Sequence, residues 1–441
     1  MRVNIITMGC SKNKVDSENI AGHLESAGMK VRFDYYGRQL SDIIVVNTCG
    51  FIGDAKEESV NTILEQAGIK ERGRRPRVLV VVGCLVERYR RELKKEIPAV
   101  DAWFGTNEWD KLIKYLVSLA GKDSKKIPFA AKRKMSSPRH YAYLKIAEGC
   151  DRHCSYCAIP KIRHRHISRP MEEIVEEARG MVASGVKELI VIAQDTTYYG
   201  IDRYGKRMIA ELMDRLATES GAQWIRLHYT YPADFPMELL DVMRRHANIC
   251  RYIDIPLQHI STPVLQSMQR HIDKDQTLRL IREIRKRLPE VCLRTTLIVG
   301  YPNESQEAFG ELKDFVKEAK FDRLGVFAYS PEEGTPAMTL GDPVSDDEKQ
   351  RRRDEIMEIQ EEIALEKNQQ LLGKEVEVMI DGVAEDFYAG RTQWDSPEVD
   401  NEVIVFSDHD YRPGDVVKVR INEAWEHDVS GTPVDENEYY K

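Results

Sequence analysis

Apolar residues in the first 120 positions gather into short, unbroken runs at 3–8, 43–47 and 78–83, each rich in Val and Ile. Runs without alternation suit strands covered on both faces, as in parallel sheets. Helical spacing follows each run and predicts helices over 15–27, 54–71 and 85–96. Repeated strand–helix units predict an open, doubly wound parallel sheet. The same alternation recurs six times further on, with strands expected at 143–147, 188–193, 224–228, 252–255, 292–299 and 324–329. Helical patterns such as 171–183 and 277–288 lie between them. Six units predict a parallel barrel short of the eight-fold form. The stretch 345–372 is dense in Glu, Lys, Arg and Gln around Ile356, Ile359, Ile363 and Leu365, which predicts an exposed, partly amphipathic helix. Five short alternating segments close the chain, at 375–380, 387–393, 403–406, 416–421 and 426–432. They fit a small closed antiparallel barrel.

The polar, basic stretch 121–139, which carries Pro128 and Pro138, reads as a linker. The expected segments are therefore 1–120, a linker at 121–139, 140–344, a connecting helix at 345–373, and 374–441. A length of 441 residues allows about three domains. No run approaches the roughly 18 apolar residues of a membrane span. The start, Met-Arg-Val-Asn-Ile-Ile-Thr, reads as a strand and not as a secretory leader. Eight cysteines in such a chain point to a reducing cytoplasm and to metal ligation in place of disulfides.

Their placement carries the chemistry. Glu-Gly-Cys-Asp-Arg-His-Cys-Ser-Tyr-Cys-Ala-Ile-Pro (148–160) offers Cys150, Cys154 and Cys157. Three thiolates on a four-iron cluster leave one iron open. A structural zinc ion would want a fourth Cys or His at regular spacing. The three first-sheet strands end at Cys10, Cys49 and Cys84. Ligands bind beyond the carboxyl ends of such strands, so these thiols are expected to converge as a second three-thiolate cluster site. Lys12, Asn13, Asp16, Asn47 and Thr48 could hydrogen-bond that cluster's sulfurs or serve as loop and cap residues. Cys250 and Cys292 have no spaced partner and read as packing residues. Polar groups at later strand ends, Gln194, Asp195, His228, Gln258, His259 and Gly300, are site candidates or barrel filling. The basic run 161–169 is either a solvated face or a substrate-steering patch.

The triple at 150–157, with Tyr156 before its last Cys, resembles the radical S-adenosylmethionine (SAM) enzymes. Both triples together resemble the methylthiotransferases over essentially the whole chain. Gly-Cys-Ser-Lys-Asn-Lys-Val-Asp-Ser-Glu (9–18), Asn-Thr-Cys-Gly-Phe-Ile (47–52) and Ala-Lys-Glu-Glu-Ser (55–59) are similar to the branch that modifies ribosomal protein S-12. The resemblance implies an α/β multidomain fold: a flavodoxin/Rossmann-like sheet, a partial (βα)6 radical SAM barrel and an OB-like TRAM barrel. It implies two 4Fe-4S clusters, on Cys10, Cys49 and Cys84 and on Cys150, Cys154 and Cys157, all six being catalytic. SAM would serve both as methyl donor and as radical source, held by Tyr156, Gln194, Asp195, Gln258, Arg294, Gly300 and Phe327. Tyr156 and Phe327 would flank its adenine, and Asp-Ile-Pro-Leu-Gln-His (254–259) matches a family signature. The implied product is a methylthio group on the β-carbon of an aspartate of S-12, on the small ribosomal subunit. The implied electron donor is a flavodoxin or a ferredoxin. The alternatives are the same chemistry on a tRNA adenosine and a non-catalytic iron–sulfur or ribosome-docking protein.

Charge bears on that choice. Residues 370–441 carry 18 Asp and Glu against 6 Lys and Arg, a net −12, which leaves +4 on the rest of a chain totalling −8. A segment so acidic repels RNA and suits a basic protein partner. Asp381, Glu385, Asp386, Asp395, Glu398 and Asp400 are expected in the loops and strand ends most open to that partner.

Overall fold

The Val- and Ile-rich runs of the first sheet become strands because each face has a helix to bury against. The computed structural model describes residues 1–35, 41–73, 76–122, 132–136 and 138–434. Most of the expected linker, at 123–131 and 137, lies outside the described residues. Strands β1 (Arg2–Thr7), β2 (Lys30–Phe33), β3 (Ile43–Thr48), β4 (Val78–Gly83) and β5 (Ala102–Phe104) form one sheet in the order β2-β1-β3-β4-β5. All pairs are parallel. Val3, Ile5, Val45 and Val80 face a core shared with α1 (Ser11–Ser26) and Trp109–Leu119, while Ile6, Val46 and Val81 face α2 (Gly53–Glu71) and α3 (Cys84–Glu96). Strands β2 and β5, of four and three residues, were too short to stand out in the pattern. Helix α1 begins at Ser11, earlier than the periodicity suggests, because its first turns bury Lys12, Asn13, Asp16, Ser17 and Glu18. Those residues meet protein, not solvent.

The second sheet holds β6 (Tyr141–Lys145), then β9 (Glu188–Ile192), β10 (Trp224–Leu227), β11 (Ile249–Asp254), β12 (Cys292–Val299) and β13 (Arg323–Ala328), reached after the short strands β7 (Ala147–Glu148) and β8 (Ile167–Ser168). Its order is β13-β12-β11-β10-β9-β6, every pair is parallel, and the two end strands do not pair with each other. This is the expected open barrel of six. The antiparallel pair β7–β8 matches Ala147 with Ser168 and Glu148 with Ile167, which closes the loop carrying Cys150, Cys154 and Cys157.

Ser345 caps the helix Asp346–Gln369, accepting from the Glu348 amide at 3.3 Å. This helix is less exposed than its composition suggests. Lys349, Arg352, Ile356, Gln360, Ala364 and Asn368, three or four residues apart, are buried, and Arg352 Nη1 pairs with Glu304 at 2.9 Å. The last barrel, β14 (Glu375–Val383), β15 (Tyr388–Arg391), β16 (Val403–Val405), β17 (Val416–Ala424) and β18 (Val429–Pro433), closes in the order β14-β15-β16-β18-β17. Its pairs are antiparallel except β16–β18, which is parallel and corrects the all-antiparallel expectation.

This barrel is keyed into the second sheet, and there the acidic-patch expectation is corrected. Arg226, fully buried, donates from Nε to Glu188 Oε1 at 2.7 Å and from Nη1 to the Gln393 carbonyl at 2.8 Å. Asp395 pairs with Arg323 Nε at 3.0 Å. Asp400 pairs with Arg294 at 3.2 Å and accepts from the Tyr252 hydroxyl at 2.7 Å. Asp381 pairs with Arg391 at 2.8 Å and with His140 at 2.6 Å. Three of the six named carboxylates therefore serve internal contacts. Glu385 and Asp386 are exposed, and half-exposed Glu398 accepts from the Tyr141 hydroxyl at 2.9 Å.

His228 Nε2 lies 2.9 Å from Ser396 Oγ in the same interface. Burial holds this imidazole down to about 3; Asp254 opposes the shift, while Arg226, Arg294 and Lys12 add to it. The ring stays neutral in the fold, whereas an unfolded histidine takes a proton below about pH 6.5. Stability is therefore lost as pH falls below about 6.5, by up to about 1.4 kcal/mol per unit until the folded value is reached. The thermal midpoint of the wild type should drop between pH 7 and 5.5, and that of His228→Asn should drop by less. Equal slopes would remove His228 from the account.

Candidate metal centre

Each cysteine of the first triad leaves its strand beside a glycine, and two of these glycines are sterically required. Gly9 sits at φ +83°, where an added Cβ would come within 2.6 Å of Cys49 Cβ. Gly83 sits at φ +108°, where one would come within 2.7 Å of Asn47 Oδ1. Bare backbone lets the strand ends converge. Cys10 is exposed, while Cys49 and Cys84 are buried. Ser59 Oγ accepts from the Cys49 amide and donates to its carbonyl, both at 3.0 Å. Burial raises the Cys49 thiol, and it pushes Cys84 up to about 12. Arg163 works against both shifts; Cys10 reinforces both, and Cys49 adds to that of Cys84. Of the polar residues weighed for this site, Asn13 reaches a thiol, its Oδ1 lying 3.8 Å from Cys84 Sγ. Asn47 donates to the Asn13 carbonyl, Thr48 to the Val82 carbonyl, and Asp16 turns to cations across the seam described below.

The second triad lies on the loop after β7. The Cys150 amide donates to the His164 carbonyl at 3.0 Å, and the Arg152 amide donates to Cys150 Sγ at 3.4 Å. Arg270 Nη1 donates to Cys154 Sγ at 3.3 Å and to the Tyr156 hydroxyl at 3.4 Å. The Arg152 and Arg270 guanidinium groups stand over the Tyr231 ring at 4.0 and 4.2 Å. Arg152 Nε donates to Asp195 at 2.8 Å, yet Arg152 Nη2 and Arg270 Nε are buried without a hydrogen-bond partner. Orphaned cationic donors beside three thiols fit an anionic group that brings acceptors of its own. Burial pushes the Cys150 thiol up to about 12 and the Cys157 thiol higher still. Deprotonation then needs a metal to compensate it. Among the described residues no three His, Cys, Asp or Glu side chains close on a single metal ion. In a cluster each thiolate binds its own iron, so both triads fit a cluster better than a zinc ion.

The two triads meet across one seam, and a residue of the basic run bridges them. Arg163 is 2% exposed; its Nη1 pairs with Asp16 at 2.7 Å and Glu148 at 3.2 Å, and its Nη2 donates to Asn13. Lys145 pairs with Asp16 and, at 2.8 Å, with Glu148. His166 is buried too and lies 3.0 Å from Ser168 Oγ. The run 161–169 is thus largely folded inward, which corrects its reading as a solvated or steering face; Lys161 and Arg165 stay exposed. A second contact across the seam runs from Glu332 to Arg88 at 2.7 Å and Lys56 at 2.9 Å.

The expected SAM-holding residues fall in several surroundings. Tyr156 packs beside Cys154 and Tyr231 on one side and Ile298 on the other, and Phe327, 54% exposed, is in register with Ile298. Gln194 follows β9, half-buried, while Asp195 is taken up by Arg152, Thr197 and the Tyr198 amide. Gln258 is buried in a left-handed conformation, φ +73°. Arg294 is held by Asp254 at 3.1 Å and by Asp400. Gly300 donates to Glu304, and a Cβ there would clash with Lys349 Cγ.

Comparison with known proteins adds the family. Residues 2–105 match Uncharacterized protein family UPF0004, 144–316 the radical SAM superfamily and 372–434 the TRAM domain. A Phocaeicola vulgatus protein named "Ribosomal protein uS12 methylthiotransferase RimO" is 53% identical over 429 residues, 97% of this chain and 98% of its own. The chain belongs to the RimO family. A Flavobacterium johnsoniae RimO is 51% identical over 98% of both chains. Among solved structures, TsrM of Kitasatospora setae, a radical SAM methyltransferase with cobalamin and a [4Fe-4S] cluster bound, covers 88% of this chain and 80% of its own. At 15% identity and a TM-score of 0.53 it shows the fold alone.

In this RimO-family chain Cys150, Cys154 and Cys157 were legible from spacing and Cys10, Cys49 and Cys84 from their strand ends, but Arg152, Arg163 and Arg270 were not. Arg152 lies inside the loop, where its charge could have been noticed. Arg270 is 113 positions beyond Cys157 and carries no sequence signal at all.

Proposed function

We propose that this chain adds a methylthio group to the β-carbon of an aspartate of ribosomal protein S-12. The observation that carries the reading is the pairing of two glycine-cradled or arginine-flanked thiol triads across one seam, in a chain about half identical to RimO proteins along its length. Cys150, Cys154 and Cys157 would hold one 4Fe-4S cluster, and Cys10, Cys49 and Cys84 a second. When bound, these groups and SAM would supply a reducing electron, a 5′-deoxyadenosyl radical, a sulfur atom and a methyl group.

The protein's own residues do the rest. Arg152 and Arg270 offer their orphaned donors to the anionic centre and shield it from water with Tyr231. The β7–β8 pair fixes the loop so that its thiols are presented together. Arg163 ties the two halves and places a positive charge between them. Tyr156, Gln194, Asp195, Gln258, Arg294, Gly300 and Phe327 remain the proposed SAM-holding set, with Asp195 acting through Arg152 and Arg294 through Asp254. A flavodoxin- or ferredoxin-class donor would supply the electron. The carboxylates left at the surface, Glu385, Asp386 and the outward side of Glu398, favour a basic partner such as S-12 over tRNA. No helix of the described residues is long and apolar enough to cross a membrane.

Anaerobically reconstituted protein, given SAM, a low-potential reductant and either small ribosomal subunits or tRNA, tests the reading. Mass spectrometry should find one methylthio group on an S-12 aspartate and none on tRNA. Modified tRNA with unmodified S-12 would establish the alternative instead.

A further inference from the structure

Lys12 is buried to 5% exposure, yet among the described residues its ammonium has no ion pair and no hydrogen bond. Its Nζ stands 2.9 Å from the centroid of the Tyr229 ring. The ammonium keeps a small opening, as it is not among the fully enclosed unpartnered polar atoms, and a π face alone leaves its three donors unsatisfied. The surroundings are built, not accidental. Tyr229 adopts φ +57°, a left-handed conformation that is strained for a bulky residue, and its amide donates to Asp254 Oδ2 at 3.0 Å. Tyr229 also packs on Val15, Tyr143, Ile190 and Ile192, at the end of the second sheet facing α1. Lys12 lies in the first turn of α1, whose free amide ends add positive potential. It is two residues from Cys10, and its charge reaches His228 just beyond β10.

We infer that Lys12 is the receptor for a carboxylate of the substrate: the side chain of the aspartate that is modified. The inference rests on the S-12 reading above. An aspartate carboxylate is one bond from its β-carbon, so an ion pair at Lys12 fixes the reacting carbon itself. The same pair brings that carbon to the first turn of α1, two residues along the chain from Cys10. Tyr229 then acts as the floor that keeps the ammonium in place while the substrate is absent. Asparagine, with no charge, forfeits the charge-assisted bond, so Lys12 is a specificity-determining residue and not a ligand of either metal centre.

A carboxylate at this place could also come from SAM, and the test separates the two sources. Reconstituted wild type, Lys12→Met and Lys12→Arg are each titrated with a peptide carrying the S-12 target loop, with Asp or with Asn at the target position. The wild type should bind the Asp peptide about tenfold to a hundredfold tighter than the Asn peptide, the range expected of a buried charge-assisted contact. Lys12→Met should bind both peptides alike, at the wild type's Asn level, and Lys12→Arg should restore part of the preference. Iron content, SAM affinity and SAM cleavage without peptide should match the wild type in all three. Undiminished discrimination in Lys12→Met overturns the assignment. Weakened SAM binding would give the carboxylate to SAM, and lost iron would make Lys12 part of the first triad's shell; either result also overturns it. A wild type that binds the two peptides equally refutes Lys12 as receptor while S-12 modification persists. A wild type that neither binds nor modifies S-12 instead refutes the substrate reading.

Discussion

Simultaneous replacement of Cys150, Cys154 and Cys157 by Ala should abolish SAM cleavage and remove about half of the roughly eight irons per chain that the two proposed four-iron clusters would hold. The matching replacement of Cys10, Cys49 and Cys84 should remove the other half, leave SAM cleavage within about twofold and stop methylthio transfer. The asymmetry follows from where the orphaned donors lie. Arg152 Nη2 and Arg270 Nε are beside the second triad, so the anionic centre there keeps its surroundings when the first is lost. The first triad hangs on strand ends whose sheet is buried on both faces by residues such as Val45, Val46 and Val80, so the fold should survive the loss of three thiols. Iron assay, optical spectra and the yield of 5′-deoxyadenosine read the result directly. Full iron and full transfer in the Cys10, Cys49, Cys84 variant would make that comb of thiols merely structural.

What the chain discloses about itself depends on how local the physics is. Val78–Gly83 could be placed from its own run of apolar residues, because a strand covered on both faces needs nothing else to be recognised. Cys150, Cys154 and Cys157 were equally plain, since eight consecutive residues carry the spacing. The start of α1 was not, because Lys12 and Asn13 read equally as loop residues ahead of a helix at 15, and the cations that draw Asp16 and Glu18 inward, Arg163, Lys145 and Arg133, come from more than a hundred residues away. The acidic tail misled for the same reason. Asp395 and Asp400 raise the negative count of residues 370–441, but Arg323 and Arg294 of the second sheet neutralise them in place. Net charge reports on the surface only after such internal pairs are set aside. Parallel pairing of β16 with β18 has no signal in a period-two pattern, which gives strand faces and not strand direction. The glycines at 9 and 83 were visible beside their cysteines, but their purpose depends on contacts with Cys49 and Asn47 that only the folded sheet creates.

Arg163 is where fold and chemistry are most tightly coupled, and its loss should show both ways. Removing one partner of a buried ion pair costs about 3–5 kcal/mol when a charge is left uncompensated. Here Lys145 stays with Asp16 and Glu148, so Arg163→Met should lose about 3 kcal/mol or slightly less, the lower end of that range. The electrostatic effect is separate. Arg163 is the cation that opposes the raised Cys49 and Cys84 thiols, so it stabilises negative charge at the first triad. Without it, adding an electron to a cluster there becomes harder, and the midpoint potential of that cluster should move to more negative values while the second cluster's stays put. Arg163→Lys divides the two effects: the charge and most of the potential are kept, but the fork that reaches Asn13, Asp16 and Glu148 together is lost. Methylthio transfer per SAM cleaved should therefore fall in both variants, by about tenfold in Lys and further in Met, because coupling needs the two triads held in register as well as poised. Redox titration followed by electron paramagnetic resonance reads the potential, and the ratio of methylthiolated S-12 to 5′-deoxyadenosine reads the coupling. If Arg163→Met keeps the wild-type potential and the wild-type ratio while merely melting earlier, the bridge is a structural clamp and its charge takes no part in the reaction.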